Sequence, residues 1–148
     1  MLDRSAEVPI FALMLATTAF QVATLPTTEA VIAIRSGLPA AAFDGVARVF
    51  SLSGVDLAAS LGISVRTVHD QRKRRVRLSR EITEKLVRAA RVHALARKIF
   101  STDEAVSHWL ASPAPSLGGQ PPFALLDTDI GARDVESVLQ GIAYGNVM

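Results

Sequence analysis

The sequence predicts an all-α protein, a helical bundle in which a helix-turn-helix is followed by a small helical domain. Three observations support this fold class. Apolar residues recur at the three- and four-residue spacing of amphipathic helices, and no stretch alternates convincingly as a strand would. Helix-capping residues, glycines and prolines separate these segments. The chain has 148 residues and 49% apolar content, which is ample for a core.

The first segment, residues 9–25, is a run without charge that allows two interpretations. A signal peptide or membrane anchor is one of them. The preceding residues hold only one basic side chain, Arg4, against Asp3 and Glu7, and the run is short for a membrane span and contains three threonines. We therefore expect a buried or dimer-contacting helix.

Two helices are predicted next. Thr27 or Thr28 is expected to cap a helix over residues 29–36, which Gly37 closes. Residues 39–50 then predict the first helix of the unit that contains the helix-turn-helix. Its apolar residues at helical spacing are Phe43, Val46, Val49 and Phe50.

Residues 54–73, GVDLAASLGISVRTVHDQRK, predict the helix-turn-helix itself. Ala58 is small enough for two helices that cross closely around a short turn, and Gly62 suits a turn with positive φ. Ser64 is a good N-cap for the second helix, and Val68 would pack that helix on the first. A generic helical hairpin is the alternative, but the basic run that follows favours DNA binding.

The exposed face of the second helix and the run after it supply the predicted DNA contacts. Polar side chains on such a face reach base edges in a major groove, and clustered Lys/Arg neutralise phosphates, although a solvated charged face is the bland alternative. Gln71 is off pattern, since the motif usually has a buried apolar residue there. The predicted DNA-binding residues are Ser64, Arg66, Thr67, Gln71, Arg72, Lys73, Arg74, Arg75 and Arg77.

Ser79 is expected to cap a long helix that continues to about Phe100 and buries one apolar face. His93 lies on that face and is predicted to be a packed or half-buried histidine. The histidines at 69, 93 and 108 have no metal-ligand spacing, and the chain has no cysteine to join them. No metal site is therefore expected.

The C-terminal part predicts three more helical pieces. Ser101 or Thr102 caps a short helix on whose apolar face Trp109 is more a core than an interface residue. After a loop rich in Pro and Gly, residues 123–126 predict a short apolar helix. Thr128 caps the last helix, which ends at Gly145. Its positions spaced for burial are Ile130, Ala132, Val135, Val138, Leu139 and Ile142.

Charge divides the chain into parts that suit different partners. Residues 66–98 hold twelve Lys/Arg and three Asp/Glu, a net charge of +9, whereas residues 99–148 hold one Arg and six Asp/Glu, a net of −5. A basic middle and an acidic end indicate two partners, such as nucleic acid and a protein. The absence of cysteine excludes disulfides and thiol chemistry and fits a reducing cytosol.

Four stretches carry a family resemblance: SGLPAAAFD, LGISVRTV, RLSREITEKLVRAARVHALARKIF and AVSHWLASPAPSLGGQPPFALLDTDIGARDVESVLQGIAYG. From about residue 37 to residue 145 the chain resembles Xre-class antitoxins, which pair with RES-domain toxins in type II toxin–antitoxin modules and have ParS- and MbcA-like relatives. The first 25 or so residues match no motif of this family. The resemblance divides the chain into an N-terminal helical extension (1–36), an Xre-like helix-turn-helix domain (37–100) and a toxin-binding domain (101–148).

The resemblance also implies a mechanism. The toxin of such a pair consumes NAD⁺, the C-terminal domain of the antitoxin covers the active-site entrance, and the DNA-binding half represses the module's own promoter as a homodimer. Tyr144 is the expected anchor in the toxin, with a core-closing aromatic as the alternative. The predicted toxin-binding residues are Arg133, Glu136, Gln140, Tyr144, Gly145 and Asn146.

Enzyme interpretations find little support, so no catalytic residue or cofactor is expected. The 117–119 turn, Leu-Gly-Gly, lacks the Lys-Ser/Thr of a phosphate loop. Asp127 and Asp129 flank a helix start, where carboxylates stabilise the helix dipole. We expect a cytoplasmic protein with no membrane partner. A stand-alone repressor whose C-terminal part senses a small molecule or dimerises, and a membrane-associated helical protein, are the alternatives.

Overall fold

The structure is a computed structural model that describes residues 18–145. Every regular element in this range is a helix, which confirms the all-α prediction. Two short 3-10 helices, η1 (Pro115–Leu117) and η2 (Pro122–Leu125), lie between the last two α-helices. The α-helices are α1 (Ala19–Ala23), α2 (Thr27–Ser36), α3 (Ala41–Val49), α4 (Gly54–Leu61), α5 (Val65–Lys73), α6 (Arg80–Arg97), α7 (Asp103–Ala111) and α8 (Asp129–Ala143).

The long helix α6 is the centre of the fold. Helices α1, α2, α3, α7 and α8 all pack against it. At about 1.5 Å per residue it is long enough to serve both halves of the chain. The predicted apolar face of α6 is confirmed, since its buried residues include Ile82, Leu86, Ala89, Ala90, His93 and Ala96.

Side-chain caps begin most of the helices as predicted. The hydroxyls of Ser64, Ser79, Thr102 and Thr128 each accept a hydrogen bond from the backbone N–H three residues on, at 3.0–3.2 Å. The prediction of a cap at Thr27 or Thr28 is wrong. Helix α2 already starts at residue 27, and its first turn is closed through the backbone, where the Ala30 N–H donates to the Pro26 carbonyl at 2.9 Å.

Gly37 ends α2 as predicted, in a conformation with φ of 83° that disfavours other residues. A Cβ at this position would also overlap the Leu78 carbonyl oxygen. Just beyond, the Leu38 carbonyl accepts from the Leu78 N–H at 2.8 Å, and the Leu38 N–H donates to the buried Thr83 hydroxyl at 3.1 Å. This junction fixes α2 and α3 to the start of α6.

Some predicted boundaries and burials differ from the structure. The segment predicted at 123–126 is the 3-10 helix η2, which a proline starts one residue earlier, and α6 ends at Arg97. Ile130 was predicted to be buried, but its side chain is 76% exposed, because the first turn of α8 extends past the elements that α8 packs on. Trp109 is half-buried, with its ring centroid 5.9 Å from that of Phe100.

The N-terminal prediction is tested only in part. Residues 9–17 of the uncharged run lie outside the described residues. The rest forms α1, whose Ala19 and Val22 are buried against α6, and Thr24 ends the helix. Within residues 18–145, no helix is both long enough and apolar enough to cross a membrane.

Candidate functional site

The helix-turn-helix consists of α4, a tight turn and α5. Leu57, Ala58 and Leu61 on α4 and Val68 on α5 are buried together, as their spacing predicted. Gly62 occupies the left-handed region with φ of 66°, which glycine adopts without strain. The Lys85 ammonium on α6 donates to the Gly62 carbonyl at 2.7 Å, so the turn is held from below by the long helix.

The outward face of α5 is polar and open to solvent. Arg66 and Thr67 lie exposed in its first turn, and Ser64 uses its hydroxyl to cap the helix. In residues 18–145, the side chains of Arg66, Lys73, Arg74 and Arg75 make no ion pair or hydrogen bond, so their charges are available to an anionic partner.

Three of the predicted DNA-binding residues instead make bonds within the protein. The Arg72 guanidinium pairs with the Asp44 carboxylate on α3 at 2.7 Å. The Arg77 guanidinium donates to the Gly37 carbonyl at 2.8 Å. The Gln71 side-chain oxygen accepts from the Ser79 N–H at 3.1 Å, which gives this half-buried, off-pattern residue a structural role. Sequence reasoning missed all three bonds, because their partners are distant in sequence or in a loop.

A second surface lies on the outward side of α8. Ala132, Val135 and Leu139 are buried and fix the helix to the bundle. Two large apolar side chains project from its ends, Ile130 with 76% and Tyr144 with 85% of its surface exposed. The alternative of Tyr144 as a core-closing aromatic is therefore wrong.

The other predicted toxin-binding residues differ in availability. Arg133 is exposed and pairs with Asp129 one turn earlier at 2.9 Å. Glu136 pairs with Arg91 of α6 at 2.8 Å, and so it joins α8 to the long helix. The structure places Gln140 and Gly145 at the surface, whereas Asn146 lies outside the described residues.

His93 is buried where three parts of the chain meet. Its ring meets the edges of Phe20 and Phe50 with centroid distances of 5.5 and 5.3 Å. Its Nε2 lies 3.3 Å from a carboxylate oxygen of Asp103, which Arg97 also contacts at 3.2 Å. Burial lowers the pKa of His93 and outweighs the opposing effect of Asp103. The prediction of a packed histidine is confirmed, and residues 18–145 hold no cluster of three potential metal ligands.

Comparison with known proteins assigns both halves of the chain. Residues 29–91 match the antitoxin Xre-like helix-turn-helix domain, and residues 95–145 match the antitoxin Xre/MbcA/ParS C-terminal toxin-binding domain. The two matched segments meet inside α6. Both descriptions are of antitoxins, not of enzymes.

Three relatives share this resemblance, and each carries the name Antitoxin Xre. One from Yersinia enterocolitica is 26% identical over 119 residues, which is 80% of each chain. One from Photorhabdus laumondii is 25% identical over 77% of this chain and 78% of its own length. One from Pseudomonas putida is 30% identical over 56% of this chain and 52% of its own length.

Proposed function

This chain belongs to the Xre/MbcA/ParS antitoxin family, and from that membership we propose that it neutralises a RES-domain, NAD⁺-consuming toxin and represses its own operon. In this proposal the C-terminal domain covers the entrance of the toxin's active site. The helix-turn-helix binds operator DNA as a homodimer in the cytoplasm. The division into 1–36, 37–100 and 101–148 is part of the same proposal.

Support for the DNA half comes from unpaired positive charge beside a helix-turn-helix. Arg66 and Thr67 lie near the start of α5, the part of a recognition helix that reaches base edges. Lys73, Arg74 and Arg75 follow at its end, where flexible cations contact phosphates. A dimer would place two such helices one turn of DNA apart on an inverted repeat.

Support for the toxin half comes mainly from the exposed apolar ends of α8. Ile130 and Tyr144 are large apolar side chains in an otherwise polar, acidic segment, and such residues dominate the binding energy of protein interfaces. The net charge of −5 over residues 99–148 complements a basic cleft that binds the phosphates of NAD⁺. Ile130 and Tyr144 are therefore the proposed anchors, with Arg133 and Gln140 between them.

Co-expression with the neighbouring open reading frame tests this proposal. We expect the neighbour alone to stop growth and deplete cellular NAD⁺, and the full chain to restore both. The double variant Ile130→Ser/Tyr144→Ala should fail to protect at unchanged protein level, because loss of two anchors lowers affinity by about 30-fold or more. Val55→Ser, which removes an exposed apolar residue of α4, is the matched control and should protect.

A harmless neighbour would favour the alternative, a stand-alone transcriptional repressor. Protection by the double variant would instead mean that the toxin binds another face of the C-terminal domain. Both results leave the family assignment intact and revise the partner or its site.

A further inference from the structure

An open pocket of about 510 Å³ lies between the two matched halves of the chain. One wall comes from the DNA-binding half, where Phe50, Leu52 and Ser60 lie at the end of α3 and on α4. The opposite wall comes from the C-terminal half, from one side of α7 and from η2. Pockets of this volume accept small organic molecules.

The walls are mostly apolar and contain an aromatic pair. The rings of Phe50 and Phe123 lie 5.2 Å apart at an angle of 49°, an arrangement that can accept a further ring. The polar groups of the lining are serine hydroxyls and the His108 ring, and no Lys, Arg, Asp or Glu takes part. This lining disfavours phosphates and other strongly charged ligands, because their charge would lack a partner.

One polar group in the pocket is unsatisfied. The Ser107 hydroxyl on α7 is buried and has no hydrogen-bond partner within residues 18–145. A buried hydroxyl without a partner costs free energy, which a ligand group can recover by bonding to it. The same residue lines the pocket, so the orphaned hydroxyl and the apolar walls belong to one site.

We propose that this pocket binds an uncharged, aromatic small molecule that carries one hydrogen-bonding group for the Ser107 hydroxyl. The bound ring lies against Phe50 and Phe123 and so contacts both halves of the chain. The site is separate from α5 and from the exposed ends of α8, and it does not depend on the identity of the toxin.

Indole is a suitable probe, because it is an uncharged aromatic molecule with a single N–H donor. Titrated into the full-length ¹⁵N-labelled protein, it should give saturable chemical-shift changes at the pocket residues. Ser107→Ala should weaken indole binding by about 2- to 12-fold without lowering the melting temperature, because the hydroxyl bonds to nothing in the free protein.

Ala111→Trp fills the pocket from an exposed position on α7 and should abolish the indole shifts. Ala41→Trp adds the same side chain to an exposed position of α3 outside the pocket and should leave them unchanged. Indole shifts that never saturate, or equal affinity in both tryptophan variants, would overturn the proposal. So would loss of toxin neutralisation in Ala111→Trp alone, because the pocket would then receive a toxin side chain.

Discussion

His93 is a residue whose protonation opposes folding. In the unfolded chain its pKa is the ordinary 6.5, whereas burial lowers the pKa in the folded protein. The groups that face it are the Asp103 carboxylate, which favours its protonation, and the Arg97 guanidinium, which opposes it. Below about pH 6.5 the unfolded chain therefore binds a proton that the folded protein does not.

We predict that His93 makes the protein less stable as the pH falls from about 6.5 towards the lowered pKa. Urea unfolding between pH 7.5 and 5 should show the free energy of unfolding falling with pH in the wild type. His93→Gln should flatten that dependence, and His69→Gln, which replaces an exposed histidine, should retain it. Equal slopes in the wild type and His93→Gln would show that other groups set the acid response.

Gly131 allows α8 to lie against η2. A Cβ at this position would overlap the Leu125 carbonyl oxygen and crowd the Thr128 hydroxyl that caps α8. No such obstacle exists at Gly45 in α3, where a Cβ would have open space and φ is ordinary for a helix. The two glycines form a matched pair for mutation.

We predict that Gly131→Ala lowers the free energy of unfolding by about 1–3 kcal/mol, the usual cost of forcing atoms into a packed contact. Gly45→Ala should raise it by about 0.5–1 kcal/mol, because alanine favours a helix over glycine. Thermal and urea denaturation measure both. A neutral Gly131→Ala would mean that α8 can shift away from η2 without loss.

At the scale of elements, α5 combines residues that position it with residues left free for DNA. Gln71 bonds to Ser79 at the start of α6, and Arg72 bonds to Asp44 of α3. Arg66 and Arg74 have no such bond in the described part of the chain. The helix is therefore fixed on one side and open on the other.

We predict that these groups respond differently when DNA affinity is measured on operator and random duplexes. Arg66→Ala should lower affinity for the operator more than for random DNA. Arg74→Ala should weaken both alike and reduce the salt slope by about one. Gln71→Ala should weaken both alike and also lower stability by about 1–3 kcal/mol, because the Ser79 N–H loses its partner. Equal losses on both duplexes for Arg66→Ala would contradict direct readout.

Periodicity and capping chemistry predicted most of the elements, because both act within a few residues of the chain. Ser64, Ser79 and Thr128 cap the helices that the sequence assigned to them. The exposure of Ile130 depends on which neighbours cover the first turn of α8, and that is a tertiary property.

The candidate sites were less predictable for the same reason. A run of arginines shows charge but not which guanidinium finds an acceptor, so the bonds of Arg72 and Arg77 came only from the structure. The pairing of Glu136 with Arg91 likewise joins residues far apart in sequence.

On the scale of the whole molecule, α6 supports both proposed surfaces. Lys85 donates to the Gly62 carbonyl in the helix-turn-helix, and Arg88, one turn further on, donates to the Asp127 carbonyl before α8 at 3.3 Å. The basic α5 region and the exposed ends of α8 are thus presented by one rigid helix, yet they share no residue. The account's central claim is that these two surfaces serve two partners independently.

The most direct test measures promoter repression and protection from the toxin for the same variants in the same cells. We predict that Arg74→Ala/Arg75→Ala loses repression but still protects, and that Ile130→Ser/Tyr144→Ala represses but no longer protects. Both proteins must accumulate to the wild-type level. If either double variant loses both activities at that level, the two surfaces do not act separately and the central claim is wrong.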